Sequence, residues 1–280
     1  MKIAKKVVPL LLCLILFDNV MAMRPVPDTL QIPAYIQAIS NPEELRRLLD
    51  NPDLKDKLAA YVRLGEIGGE AELPLLKEVF DSEPYFLGIE AIPGVKYYSL
   101  ISIGKIGGPA AEEFLRDVVV ALAPNIKAGT NSFTRADSLI TIVAALEGLG
   151  EITTPSVGAF LDSVFNYVDN NWVVRSTANL EALKIELKKN NTLGTAADTA
   201  RFMLEKWQSV PWVERQFSTA GVNPDYLIRD NLEALIYQYR GITLPYVAAL
   251  EKEMSAENPK LGALKKLRER MEANPAEPKE

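Results

Sequence analysis

The sequence predicts an all-α fold, an α-solenoid of about five antiparallel helix pairs, on three observations. The stretch Leu64-Gly65-Glu66-Ile67-Gly68-Gly69 recurs as Ile103-Gly104-Lys105-Ile106-Gly107-Gly108 and, worn, as Leu146-Glu147-Gly148-Leu149-Gly150-Glu151. Successive copies start 39 and 43 residues apart, a period that marks a helical repeat. Each copy also closes an apolar run at helical spacing and is followed by another, at 73–80, 111–119 and 155–168. Finally, 280 residues that are 48% hydrophobic can bury a large core, as one domain or one continuous array.

Residues 1–22 read as a secretory signal peptide. Lys2, Lys5 and Lys6 precede an apolar run from Val7 to Phe17, too short for a comfortable membrane span. Val20-Met21-Ala22 then supplies a cleavage site after Ala22. Residues 23–41 read as a proline-rich linker, since Pro25, Pro27 and Pro33 hold the backbone extended. Asn41 and Pro42 form an N-cap and first-turn pair for a helix through Leu49, and Asp50-Asn51-Pro52-Asp53 is a turn.

The array follows over 42–272. In the first repeat, Leu54, Leu58, Tyr61, Val62 and Leu64 make one apolar face, Gly68-Gly69 ends the helix in the left-handed conformation, and a second helix carries Leu73, Leu76, Val79 and Phe80. The second repeat pairs Val95–Ile106 with Ala110–Leu122, and the third Arg135–Leu149 with Pro155–Val168. A degenerate fourth pairs Val174–Lys189 with Thr195–Trp207. The fifth pairs Tyr226–Arg240 with Leu244–Met254 about a turn at Gly241. Leu261, Leu264, Leu267 and Met271 predict a short helix capping the last apolar face, ahead of a disordered tail at 273–280.

Composition excludes several chemistries. The chain has no histidine, which removes Ser-His-Asp and Cys-His catalysis and imidazole-bound zinc. Its one cysteine, Cys13, falls within the predicted signal peptide, so the mature chain has no disulfide, thiol nucleophile or thiolate metal site. A net charge of −6 with no long basic run gives no footprint of nucleic-acid binding. No cofactor or metal site and no catalytic residue is expected.

The units resemble HEAT repeats, specifically the short bacterial kind named after phycobilisome lyases. The match lies in residues 58–69, LAAYVRLGEIGG, followed by Leu73-Pro74-Leu75-Leu76. Family units run from an Ala-rich helix through Leu-Gly-x-Ile-Gly to a helix opening Pro-Leu-x-x-Leu. The second copy keeps the turn but has Glu113-Phe114 where Pro-Leu is expected, and repeats four and five lose the double glycine. The resemblance covers roughly Leu54 to Met254. It implies a right-handed superhelix, and members are mostly scaffolds that bind other macromolecules. It does not by itself assign a function.

Two chemical signals are weighed and set aside. Ser102-Ile103-Gly104-Lys105 fits Ser-x-x-Lys, yet its partner motifs are missing and position 105 corresponds to Glu66 of the preceding repeat. The carboxylates Glu70, Glu72, Glu112, Glu113 and Asp162 lie on second helices, where such charges usually form a solvated face. Connections between units are longer and richer in aromatics than turns within them. The expected contact surface is therefore that edge, with Tyr85, Phe86, Phe133, Trp172, Trp212 and Phe217, against the alternative that each ring folds inward to seal a junction. Glu113, Asp117, Asp162, Asn166, Arg201 and Glu205 are secondary candidates on a concave face.

The sequence thus predicts an exported, periplasmic or secreted, non-enzymatic scaffold or assembly factor of a bacterial envelope. Its expected partner is another protein, with no nucleic acid and no membrane span after signal cleavage. A carboxylate-dependent, glycosidase-like enzyme working in a groove, and a structural spacer, remain as alternatives.

Overall fold

The computed structural model describes residues 32–82, 94–127, 130, 132–168, 171–191, 195–213, 217–218, 221–222 and 224–274. The predicted signal peptide and the end of the tail lie outside them. The described chain is all-α apart from a two-residue antiparallel pairing, in which Phe217 stands opposite Val222. It divides into two compact units, the first ending at Ile106 and the second starting at Gly107.

The first unit opens with α1 (Ala34–Gln37), within the stretch read as linker, where Ile36 is completely buried. In α2 (Pro42–Leu48) the Asn41 side chain accepts from the Glu43 amide at 3.0 Å, which satisfies one of the orphan donors of the first turn. Asp53 caps α3 (Leu54–Ile67) the same way, accepting from the Lys55 amide at 2.8 Å. A tight turn at Glu70–Glu72 leads into α4 (Leu73–Ser82), and α5 (Val95–Ile106) closes the unit. α3 packs against α1, α2 and α5, and α4 packs against α5. The seam runs on small residues, with Ala59, Ala60 and Gly65 of α3 buried beside the buried Ser99, Ser102 and Gly104 of α5.

The first turn departs from expectation. Gly68 has φ −74° and ψ 177°, an extended rather than a left-handed cap. Space requires a glycine there instead, because a β-carbon on Gly68 would stand 2.4 Å from the Leu64 carbonyl oxygen. The left-handed conformation belongs to the second copy, where Gly107 and Gly108 have φ 71° and 82°.

The second unit comprises α6 (Pro109–Leu122), α7 (Ser132–Glu151), α8 (Pro155–Ser163), α9 (Trp172–Asn191), α10 (Ala196–Ser209), α11 (Pro224–Gln238), α12 (Arg240–Glu253) and α13 (Leu261–Ala273). α7 packs between α6 and α9, α9 also packs on α10 and α11, and α10 packs on α11 and α12. Gly241 lies inside α12, so the turn between the last pair falls at Tyr239. The Thr243 hydroxyl seals that corner, donating to the Ile236 carbonyl at 2.7 Å. α13 covers α11 and α12, burying Leu264, Leu267 and Met271 against a core that includes Trp207, Leu235, Ile236 and Val247.

Charged and polar ties fix the register of neighbouring helices. Lys105 of α5 reaches Glu66 of α3 at 3.1 Å, and Lys188 of α9 reaches Glu151 of α7 at 2.9 Å. Beside the second tie, the Glu181 carboxylate is buried and held by Lys184 at 2.6 Å. Asn231 of α11 donates to the Ser176 carbonyl at 2.9 Å and to the Asn179 side chain at 3.0 Å, and accepts from the Ser176 hydroxyl at 3.0 Å.

Candidate functional site

The second unit carries an open groove of about 520 Å³ between the first turns of α6 and α8. Local sequence brings these turns together in form. Pro109 and Pro155 both start helices, where a missing amide hydrogen costs nothing. Thr154 caps α8, its hydroxyl oxygen accepting from the Val157 amide at 3.3 Å. The lining is Pro109, Glu112, Glu113, Arg116 and Asp117 from α6 with Thr154 and Ser156 from the start of α8.

Glu112 ties the two walls together. One of its oxygens accepts from the Thr154 hydroxyl at 2.9 Å, and the other from the Ser156 hydroxyl at 2.7 Å and the Arg116 guanidinium at 2.6 Å. Arg116 in turn lies over the Phe160 ring at 5.1 Å, and that ring meets Tyr167 at 6.1 Å. Through these three bonds Glu112 holds the start of α8 against α6.

The sequence-predicted aromatics fall largely elsewhere. Tyr85 and Phe86 lie outside the described residues. Phe133 lies in the first turn of α7, Trp172 starts α9 and Phe217 belongs to the short strand pairing; their side chains lie outside the description as well. Trp212 is half-buried, with the Arg229 guanidinium 4.3 Å from its ring centre. Arg229 is also 5.0 Å from the Tyr226 ring and donates to the Val213 carbonyl at 2.7 Å. Trp212 thus covers a buried cation.

All six secondary candidates are exposed. Glu113 and Asp117 share one rim of the groove. Asp162, Asn166, Arg201 and Glu205 do not line it. Partial burial, then the nearby Glu186 charge, holds the Asp162 carboxyl above its ordinary value. The Ser-x-x-Lys stretch is used for packing in the first unit. Ser102 is buried and donates to the Tyr61 carbonyl at 2.7 Å, while Lys105 pairs with Glu66.

Arg116, Thr154 and Ser156 are not among the sequence candidates, and Glu112 is expected on a solvated face. Local signals existed for two of them: Glu112 and Arg116 have the spacing of a helical ion pair, and Thr154-Pro155 has the form of a helix start. Their convergence is a tertiary fact. Among the described residues, no group of three or more Cys, Asp or Glu side chains is placed to hold a metal ion, and no helix is long and apolar enough to cross a membrane. No protein-family model, no curated protein and no solved structure matches this chain.

Proposed function

We propose that this chain is an exported, non-enzymatic repeat protein of the HEAT-like kind, a scaffold or assembly factor that binds another protein in a bacterial envelope. The observation that carries this reading is packing of first helices onto first helices within each unit. α3 meets α5 in the first unit, and α7 meets α9, which meets α11, in the second. A cross-helix ion pair recurs at the glycine-marked end of these helices, Glu66 with Lys105 and Glu151 with Lys188. Such tandem packing leaves each pair dependent on its neighbours and leaves second helices free to present side chains to a partner. The export part of the reading rests on the Lys2–Ala22 pattern.

The test is affinity capture with the chain starting at residue 23, added to envelope extracts and followed by mass spectrometry. Enrichment of one protein over a heat-unfolded control supports the scaffold. Recovery of no protein above that control overturns it.

A further inference from the structure

We infer that α13 is a strap that opens and closes as one piece, and that the Lys260 ammonium is the latch that holds it shut over the apolar groove of α10, α11 and α12. The latch is built on a helix end. The last four carbonyls of an α-helix have no partner within it. At the end of α10, Lys260 Nζ donates to the Trp207 carbonyl at 3.4 Å and to the carbonyls of Gln208 and Val210. A cation there also meets the negative end of the helix dipole. The main chain of the same residue starts α13, since the Lys260 carbonyl accepts from the Leu264 amide at 3.0 Å. One side chain therefore ties the start of α13 to the end of α10. A like charge works against the tie: burial, then the Arg229 charge, holds the Lys260 ammonium below its ordinary value.

The first turn of α13 has little else to hold it. No side chain caps it and no acidic residue lies in it. Gly262 stands there instead, exposed, and a β-carbon on it would meet nothing within 4 Å. Lys265 and Lys266 then place positive charge near the positive end of the helix dipole. A 13-residue helix with such a start is marginal in water, so its helical state depends on docking. Docking rests on one stripe, Leu264, Leu267 and Met271, with Arg268 paired to Glu251 at 2.6 Å and Arg240 donating to the Asn274 carbonyl at 2.6 Å further along. Because helix and docking form together, losing the latch loosens the whole element. Lifting it bares the core around Trp207, Leu235, Ile236 and Val247, into which the stripe packs. Elements with so few buried contacts are the ones that open below the global unfolding transition.

The test is hydrogen exchange of the full purified chain under native conditions, read by mass spectrometry. Residues 261–273 are expected to exchange about tenfold faster than residues 224–238 of α11. Lys260→Met is expected to speed exchange over 261–273 by about a further tenfold, from the loss of a charged hydrogen-bond donor, and to leave α7 unchanged. Gly262→Ala, which adds a methyl group in open space, is expected to slow exchange over 261–273 about three- to fivefold. This second variant decides the matter if Lys260→Met fails to fold. Equal exchange over 261–273 and 224–238 in the wild type overturns the strap. A Lys260→Met effect spread evenly over the second unit overturns it too, as does Gly262→Ala without effect on 261–273.

Discussion

The Cα of Ser102 lies 2.6 Å from the point where a β-carbon on Gly65 would stand, and the Ser102 hydroxyl donates to the carbonyl of Tyr61 at 2.7 Å. α3 and α5 therefore touch backbone to backbone. Gly65→Ala is expected to destabilise the chain by about 1–3 kcal/mol, because the obstacle is main chain and cannot rotate away. Ser102→Ala keeps the close approach and loses one hydrogen bond, about 1 kcal/mol. Urea unfolding of both variants checks the order; equal losses would mean that the hydroxyl, not the glycine, sets the seam.

Glu181 gives the α7–α9 seam a pH dependence. Burial raises its carboxyl above the ordinary 4.5, against the pull of Lys184. A carboxyl raised on folding binds more protons in the folded state, so its contribution to stability falls as pH rises from the ordinary value through the raised one. Lys184, raised by Glu181 against the effect of its own burial, loses its contribution only in strongly alkaline solution. The stability of Glu181→Gln relative to wild type is therefore expected to rise with pH above about 4.5. Thermal melts across that range test it, and a difference that stays flat with pH counts against it.

Gly150 is the space into which Glu181 fits. A β-carbon there would stand 2.0 Å from Glu181 Oε2. Gly150→Ala is expected to drive the carboxylate out, cost about 1–3 kcal/mol and remove the pH dependence described for Glu181. The same melts on Gly150→Ala separate the two effects, since simple overpacking would lower stability equally at every pH.

Asn231 holds α11 to α9 with every polar atom of its side chain engaged. Asn231→Ala leaves the half-buried Ser176 hydroxyl and Asn179 side chain without this partner, a loss of about 1–3 kcal/mol. Amide exchange should rise in α11 and the facing turns of α9 before it rises in α7. A uniform rise would show instead that the unit opens as a single block.

Trp212 stands over Arg229, so Trp212→Ala is expected to destabilise the fold by roughly 0.5–2 kcal/mol. If Trp212 serves only this packing, capture of an envelope partner is unchanged at temperatures well below the melting point. Loss of capture without loss of stability would return Trp212 to the contact surface.

The order of helices was legible because it depends on local signals. Apolar spacing at Leu58, Tyr61 and Leu64, the cap Asn41, and the proline starts at Pro109 and Pro155 all act within a turn or two of chain. The capping role of α13 was legible for the same reason, since its apolar stripe had no other face to cover. Errors arose where glycine has two uses. Gly241, expected at a turn, lies within a helix, and Gly68 makes room for a carbonyl rather than adopting a left-handed cap.

What the sequence by itself determined, then, is an all-helical chain with a recurring glycine-marked motif, no histidine and one cysteine. Only the tertiary structure decided which polar groups meet. Glu112 finds Ser156 across 44 residues, Asn231 finds Ser176 across 55, and Ser102 lies against Gly65. Helical periodicity fixes the face on which a side chain stands, but pairing between helices depends on crossing angle and axial offset, which are set by the volumes of residues distant in the chain.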